Sequence, residues 1–528
     1  MASENRPNVL FVICDQLRAD HVGFAGNGVV RTPNIDSIAA GGMVFDQAFV
    51  SNPVCMPNRS TIMTGRMPSA HGVVFNDRSL DPMANTFVRQ LRNEGWRTAL
   101  IGKSHLQHGM SRDSHRHFGL AAGHSTALED GWDTLEHQER YEAGESIRPD
   151  DFYGFGHLEL TIGHGAMSGG HHYQWALEQG VSHDDLTSGL DPTYDVPDRS
   201  EHWWQIHAAP FPEEAYSTAF VTARTIAFIE EAAASDEPWM TWCSFPDPHH
   251  PLSPPEPWFS RHDPGDMELP ATFHDPGEAW PAHITQTRSH GPLPDGGPGL
   301  YVIPFGPNED QALACIAATY GMIEAIDEGV GKILAALKRT GEADNTIIVF
   351  TSDHGDMMGD HGIMLKGFMH FEGCLRVPMV INTPDGNGGR TTSLASSIDL
   401  PHTILELCGV AEFQGMQGTS LTPLLGDPSA SVRDSVLIED DFPPAAVGAP
   451  VPEKTRTVRT ATHRYTRDST GFEQLFDMAN DPGELTNLAP GNQDPTVRVK
   501  MLDVLADAMI GADDMTRVEP VSLELSSA

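Results

Sequence analysis

The sequence predicts an α/β protein built on a large, mostly parallel sheet sandwiched by helices, followed by a smaller C-terminal α+β subdomain with an antiparallel sheet. Three observations predict it. Short, continuously apolar runs recur along the chain, as strands buried on both faces of a parallel sheet require. Helix-like segments fall between those runs, the alternation that places helices on both sides of such a sheet. After about residue 428 the texture changes to shorter strand-like stretches.

The first strand is NVLFVIC at 8–14, ending at Asp15-Gln16. TPNIDSIAAGG reads as a short helix, with Thr32 as cap, Pro33 in the first turn and glycines closing it. A helix at 85–95 precedes the strand WRTALIG at 96–102, and a helix near Tyr216–Ala234 precedes WMTWCSF at 239–245. A long helix over about 309–339 leads into NTIIVFTS at 345–352. RVPMVIN at 376–382 and a helix at 396–409 complete the series. Beyond it, SVLIEDDF, TRTVRTATHRYTRD and FEQLFDMAND read as short antiparallel strands, with a helix at 495–511.

These elements divide the chain into a large α/β domain, 1–427, and a C-terminal subdomain, 428–528. Within the first, 106–210 and 246–307 are rich in Gly, Pro, His and Asp and lack periodicity. They read as long excursions from the core, either forming a substrate rim or simply covering surface. Trp203, Trp204, Phe211, His171 and His172 are candidate lining residues there, with no place assigned.

Composition narrows the partners. The chain carries 73 acidic against 33 basic residues, a formal charge of −40, which repels nucleic acid and anionic membranes. An anionic substrate therefore needs a local basic pocket. The N-terminus lacks the pattern of a secretory signal, and no apolar run is long enough to span a bilayer. The six cysteines show no paired spacing, which argues against a disulfide framework or a CxxC zinc site. A cytoplasmic location is expected, and a closed homo-oligomer is the general expectation for assembly.

In an open parallel sheet, ligands bind beyond the carboxyl ends of the strands. Four predicted strands end in reactive side chains: Asp15-Gln16, Gly102-Lys103-Ser104-His105, Asp247-Pro248-His249-His250, and Asp353-His354-Gly355-Asp356. Asp15, Gln16, Asp353 and His354 offer oxygen donors and one imidazole, a set that fits Ca²⁺ or Mn²⁺ better than Zn²⁺. Asp15 alone also reads as a helix cap, and Asp360-His361 as loop-shaping groups.

Cys55 sits apart from these ends. Pro57 suits the first turn of a helix running to about Thr64, whose N-terminus favours an anion beside Cys55. Arg59 adds a cationic fork suited to carboxylate, phosphate or sulfate. A buried thiol, a metal ligand and a nucleophile remain open on spacing alone.

The stretch Cys55-Met56-Pro57-Asn58-Arg59, followed by Thr64-Gly65-Arg66, resembles the C-x-P-x-R…TGR signature of formylglycine-dependent sulfatases, members of the alkaline-phosphatase superfamily. The resemblance extends, in order, through PNVLFVICDQ, TPNIDSIAAGGMVF, GKSH, the PHHP segment, FTSDHGDMMGDHG, 366–378 and LFDMANDPGEL.

The resemblance implies that a maturation enzyme oxidises Cys55 to formylglycine. One hydroxyl of its hydrate attacks the sulfur of a small sulfate ester and displaces the alcohol; loss of the proton from the other expels sulfate. It implies one divalent metal held by Asp15, Gln16, Asp353, His354 and the modified Cys55. Arg59 would steady the diol or its helix turn, and Lys103, His249 and Lys366 would bind sulfate. His105 would be the base for sulfate release, with Lys366 or His249 protonating the leaving oxygen. His250 is the alternative to His249, and His370 has no counterpart. Asp-Gln…Asp-His, with Asn76 as a substrate contact, looks more like choline-sulfatases and phosphonate monoester hydrolases, whereas Gly-Lys-Ser-His is sulfatase-like. Sulfate monoester hydrolysis ranks first, phosphonate monoester or phosphodiester hydrolysis second. A non-catalytic metal-binding protein on the same scaffold predicts losses among Cys55, Arg59, Lys103, His105 and Asp353, and all five are present.

Overall fold

A computed structural model describes residues 6–76, 78–109, 131–167, 169–187, 191–277, 280–292, 303–386, 388–442, 452–489 and 495–513. Parts of both predicted excursions therefore lie outside the described residues.

The central strand is β1 (Asn8–Cys14), buried along its whole length. Its side chains alternate between two cores. Leu10, Val12 and Cys14 pack with the helices Ser217–Ala232 and Glu309–Thr340. Phe11 and Ile13 pack on the opposite face with Cys55–Thr64, Phe87–Asn93 and Leu400–Leu407. A strand covered on both faces has no polar side, which is why its sequence is continuously apolar. Phe11 stacks on Trp242 of the neighbouring strand with ring centroids 4.5 Å apart.

Around β1 the sheet contains β2 (Met43–Phe49), β3 (Arg97–Lys103), β4 (His157–Ile162), β5 (Gly169–Gly170), β6 (Trp239–Phe245), β7 (Thr346–Ser352), β8 (Met379–Asn382) and β9 (Gly389–Ser396). The order is β5-β4-β3-β6-β1-β7-β8-β2-β9. Pairs β3–β4, β3–β6, β1–β6, β1–β7 and β2–β9 are parallel, while β5 and β8 run against their neighbours. The strands β1, β3, β6 and β7 therefore deliver their carboxyl ends to one edge.

Three expectations need correction. The run 376–382 is a strand only from Met379, and it is antiparallel to both neighbours. The excursion 106–210 is not wholly outside the core, because β4 within it pairs with β3. The helix expected from Pro57 begins at Cys55, with Val54 before it and the Asn58 N–H bonding to Val54 O at 3.2 Å. Proline is tolerated inside that first turn because its N–H would have no helical acceptor there.

The long helix is defined at both ends. Asn308 Oδ1 accepts the Gln311 N–H and Gln311 Oε1 accepts the Asn308 N–H, both at 2.9 Å, and Gly341 closes the helix at φ 82°. Among the described residues, no helix is long and apolar enough to cross a membrane.

A second sheet, β10 (Ser435–Asp441), β11 (Lys454–Thr460), β12 (His463–Asp468) and β13 (Glu473–Asp477), is antiparallel throughout. The helix Pro495–Gly511 buries Met501 and Leu505 with Val458, Tyr465 and Leu475. The sheet also touches the segment before Cys55: Glu439 N–H donates to Ser51 O at 2.9 Å, and Asn52 Nδ2 to Glu439 O at 2.6 Å.

Candidate active site

Asp15, Lys103, His249 and Asp353 follow or end the four strands, and the first turn of Cys55–Thr64 is brought against them from the opposite face. Cys55 and Arg59 are four residues apart and so share one side of that helix. Arg59 is fully buried. Its Nε donates to Asp353 Oδ2 at 2.6 Å, and Nη1 donates to Lys103 O and Ser244 Oγ, each at 2.9 Å. Nη2 lies 3.8 Å from Asp15 Oδ2, without a hydrogen-bond partner among the described residues.

Cys55, 1% exposed, has His354 Nε2 at 3.1 Å, Lys366 Nζ at 3.5 Å and Asp15 Oδ1 at 3.6 Å from Sγ. Burial and the Asp15 charge push its thiol pKa up, but Lys103, Lys366 and His354 outweigh them and hold it below the ordinary value. Burial likewise works against Asp15, yet Lys103, His249, His164 and Lys366 hold that carboxyl well below its usual range. His354 is opposed by burial and Lys366, and Asp353 and Cys55 raise it nonetheless.

Donor atoms of Asp15, Cys55, Asp353 and His354 all lie within 4.8 Å of one another. His354 Nδ1 donates to Gly355 O at 2.8 Å, which leaves the Nε2 lone pair turned toward the carboxylates. This donor set fits a divalent cation. Gln16 adjoins it in a left-handed conformation, φ 68°, with its N–H on Asp353 Oδ1 at 3.1 Å. Its Oε1 accepts from Lys366 Nζ at 2.6 Å, and an amide oxygen retains a second lone pair. Its Nε2 contacts Asp356 and, at 3.3 Å, His250 Nδ1.

Lys103 Nζ contacts Asp15 and His164 Nε2, the latter at 2.7 Å. His249 Nδ1 donates to His250 O at 2.5 Å, so Nε2 is its free nitrogen. Burial, then His164 and Lys366, hold His249 well below the ordinary imidazole range. His105 has φ 55°, and its ring Nδ1 is buried with no partner among the described residues; burial and then Lys103 depress its pKa. Asn76 Oδ1 accepts the Met56 N–H at 3.0 Å, at the start of the helix that carries Cys55.

Two residues escaped the sequence reading. His164 stacks on His249 with centroids 3.7 Å apart, and Glu136 binds the loop around His105. Both come from the 106–210 excursion, where only a search for histidines and acids could have raised them. Of the candidate lining residues, Trp203 lies 6.1 Å from His250 between ring centroids. His171 and His172 instead bond backbone carbonyls at Ile147 and Ala215, while Phe211 packs on Tyr216. Asp360 accepts from Arg18 at 2.7 Å and His361 pairs with Asp275 at 2.7 Å, which shapes the loop as expected.

Residues 7–410 match the sulfatase family, and residues 359–510 match the family described as N-sulphoglucosamine sulphohydrolase, C-terminal. The chain is 28% identical over 490 residues to an arylsulfatase of Clostridium perfringens, spanning 92% of this chain and 90% of that protein. It is 25% identical over 513 residues to a choline-sulfatase of Rhizobium meliloti, spanning 93% and 84% respectively. The solved phosphonate monoester hydrolase of Agrobacterium radiobacter is similar over 96% of both chains, with a TM-score of 0.77 and 26% identity. With the matched region covering most of its length and a complete signature at Cys55, this chain belongs to the sulfatase family.

Proposed function

We propose that this protein hydrolyses an aryl or alkyl sulfate monoester to an alcohol and inorganic sulfate, using a formylglycine made from Cys55 and one divalent cation, Ca²⁺ or Mn²⁺. The observation that carries the reading is the convergence on Cys55 Sγ of His354, Lys366 and Asp15, all within 3.6 Å. A structural core thiol has no use for a carboxylate, an imidazole and an ammonium around it. The hydrate of a formylglycine supplies one hydroxyl for attack on sulfur and a second whose deprotonation releases sulfate.

Asp15, Gln16, Asp353, His354 and position 55 would hold the cation, which when bound supplies Lewis acidity to the reacting oxygens. Lys103, Lys366 and His249 bind the sulfate oxygens and neutralise the charge that develops on them. His105 takes the proton in sulfate release, and Lys366 or His249 protonates the departing alcohol oxygen. Arg59 fixes Asp353 and the helix turn below position 55. Asn76, its oxygen engaged by Met56, keeps its amide N–H₂ for substrate. Because Cys55 is buried, the maturation enzyme must reach it before the surrounding segments close.

Phosphonate monoester or phosphodiester hydrolysis by the same nucleophile is the second reading. It is favoured by the Gln16–His354 pair and by the 26% identity to the phosphonate monoester hydrolase. A paired assay with an aryl sulfate and an aryl phosphonate monoester separates the two. Faster sulfate turnover is expected, and comparable or faster phosphonate turnover would reverse the ranking.

A further inference from the structure

We propose that Glu136 is a positioning residue that holds His105 in its working conformation, an inference that rests on the role given to His105 above. Strand β3 ends at Lys103, and two residues later His105 takes φ 55°, a left-handed conformation that is unfavourable for a non-glycine residue unless its surroundings hold it.

Glu136 supplies that hold. Its Oε2 accepts the His105 N–H at 2.9 Å, and its Oε1 accepts those of Leu106 and Gln107 at 3.0 and 2.8 Å. Three successive amides thus converge on one carboxylate, the concave arrangement that backbone N–H groups form around an anion. Glu136 is 4% exposed, and no lysine or arginine pairs with it among the described residues. A buried carboxylate without a cation is expensive; the three amides and the Ser104 hydroxyl carry its stabilisation, and the amides are fixed by it in return.

The attachment is reciprocal. Gln107 Oε1 accepts the Leu135 N–H at 2.9 Å, and Gln107 Nε2 donates to Trp132 O at 3.3 Å. Segments 104–107 and 132–136 therefore form one clamp, so that Lys103 reaches Asp15 while the His105 ring stays in the field of Lys103 and His164. In the Glu136→Gln variant one acceptor oxygen is replaced by an N–H₂ facing an amide N–H.

The test has two arms. In protein with unoxidised Cys55, Glu136→Gln is expected to speed hydrogen exchange at residues 105–107 at least about tenfold relative to the rest of the fold. In the activated enzyme, kcat for an aryl sulfate is expected to fall about 10²-fold with KM within about twofold. One equivalent of alcohol per site should be released rapidly before slow turnover, because the later step is the one impaired. Glu136→Gln/His105→Ala should be no slower than His105→Ala, and Gln107→Leu should give a smaller loss of the same kind. Unchanged exchange, or losses that multiply in the double variant, would overturn the proposal. Full kcat in His105→Ala would instead overturn the role given to His105, and the exchange arm would still decide whether Glu136 holds the loop.

Discussion

Arg59 and Asp353 meet across 2.6 Å with neither side chain exposed, and this contact ties the helix bearing Cys55 to the end of β7. Asp353 is also one of the four clustered donors. The same guanidinium reaches Lys103 O, so the helix and the ends of β3 and β7 meet at one side chain.

Removing that guanidinium leaves a buried carboxylate uncompensated. Arg59→Leu is expected to lose about 3–5 kcal/mol of folding stability. Arg59→Lys should recover only part of it, because an ammonium cannot reproduce the fork. Denaturant titration of the three proteins measures this, and equal stability of wild type and Arg59→Leu would contradict the tethering role.

Active protein is expected to carry formylglycine at position 55, read by mass analysis of the peptide containing it. Cys55→Ala should fold normally and bind the cation through the remaining ligands, yet turn nothing over. An intact thiol in fully active enzyme, or turnover by Cys55→Ala, would remove the nucleophile from the scheme.

Chelation should abolish turnover, and Ca²⁺ or Mn²⁺ should restore it. At about 100 times its dissociation constant, the cation should also stabilise the fold by about 2.7 kcal/mol. A thermal melt that chelator leaves unchanged would count against a bound cation at Asp15, Asp353 and His354.

Lys103→Met and Lys366→Met are each expected to lower kcat about 10²- to 10³-fold, the range for removing one donor from a developing anion. The measurement is steady-state turnover of an aryl sulfate. A loss confined to KM would assign these lysines to binding alone.

Acid should destabilise the fold through histidines outside the candidate site, His172 and His207 being buried and His71 half-buried. Burial pushes His71 down to about 3, and His172 and His207 down to about 4. An unfolded histidine titrates near 6.5, so the unfolded chain binds protons that the folded one excludes. Their contribution is complete above about pH 6.5 and is lost as pH falls toward 4, by up to about 3 kcal/mol each. His71 Nδ1 accepts the Val73 N–H at 3.1 Å, a role an asparagine oxygen can fill. In His71→Asn the dependence of unfolding free energy on pH between 6.5 and 4 should therefore flatten; an unchanged slope would show that His71 is not one of these groups.

By itself the sequence determined the α/β class and four strand ends, because β1, β6 and β7 are buried on both faces and need uninterrupted apolar runs. Parallel topology then places Asp15, Lys103, His249 and Asp353 on one edge. The signature around Cys55 was equally legible, since helix periodicity alone aligns it with Arg59. Strands β2, β4 and β9 were not, because MVFDQAF, HLELTI and GRTTSLAS carry polar residues that match no single period. Nor was the direction of β8, since alternation of side chains is the same whichever way a strand runs. Only the tertiary structure decided that Gln16 lies between Lys366 and Asp356, that His164 stacks on His249, and that Glu136 gathers the amides of His105, Leu106 and Gln107. Those contacts join segments far apart in the chain, and no local period of side chains encodes a distance between them.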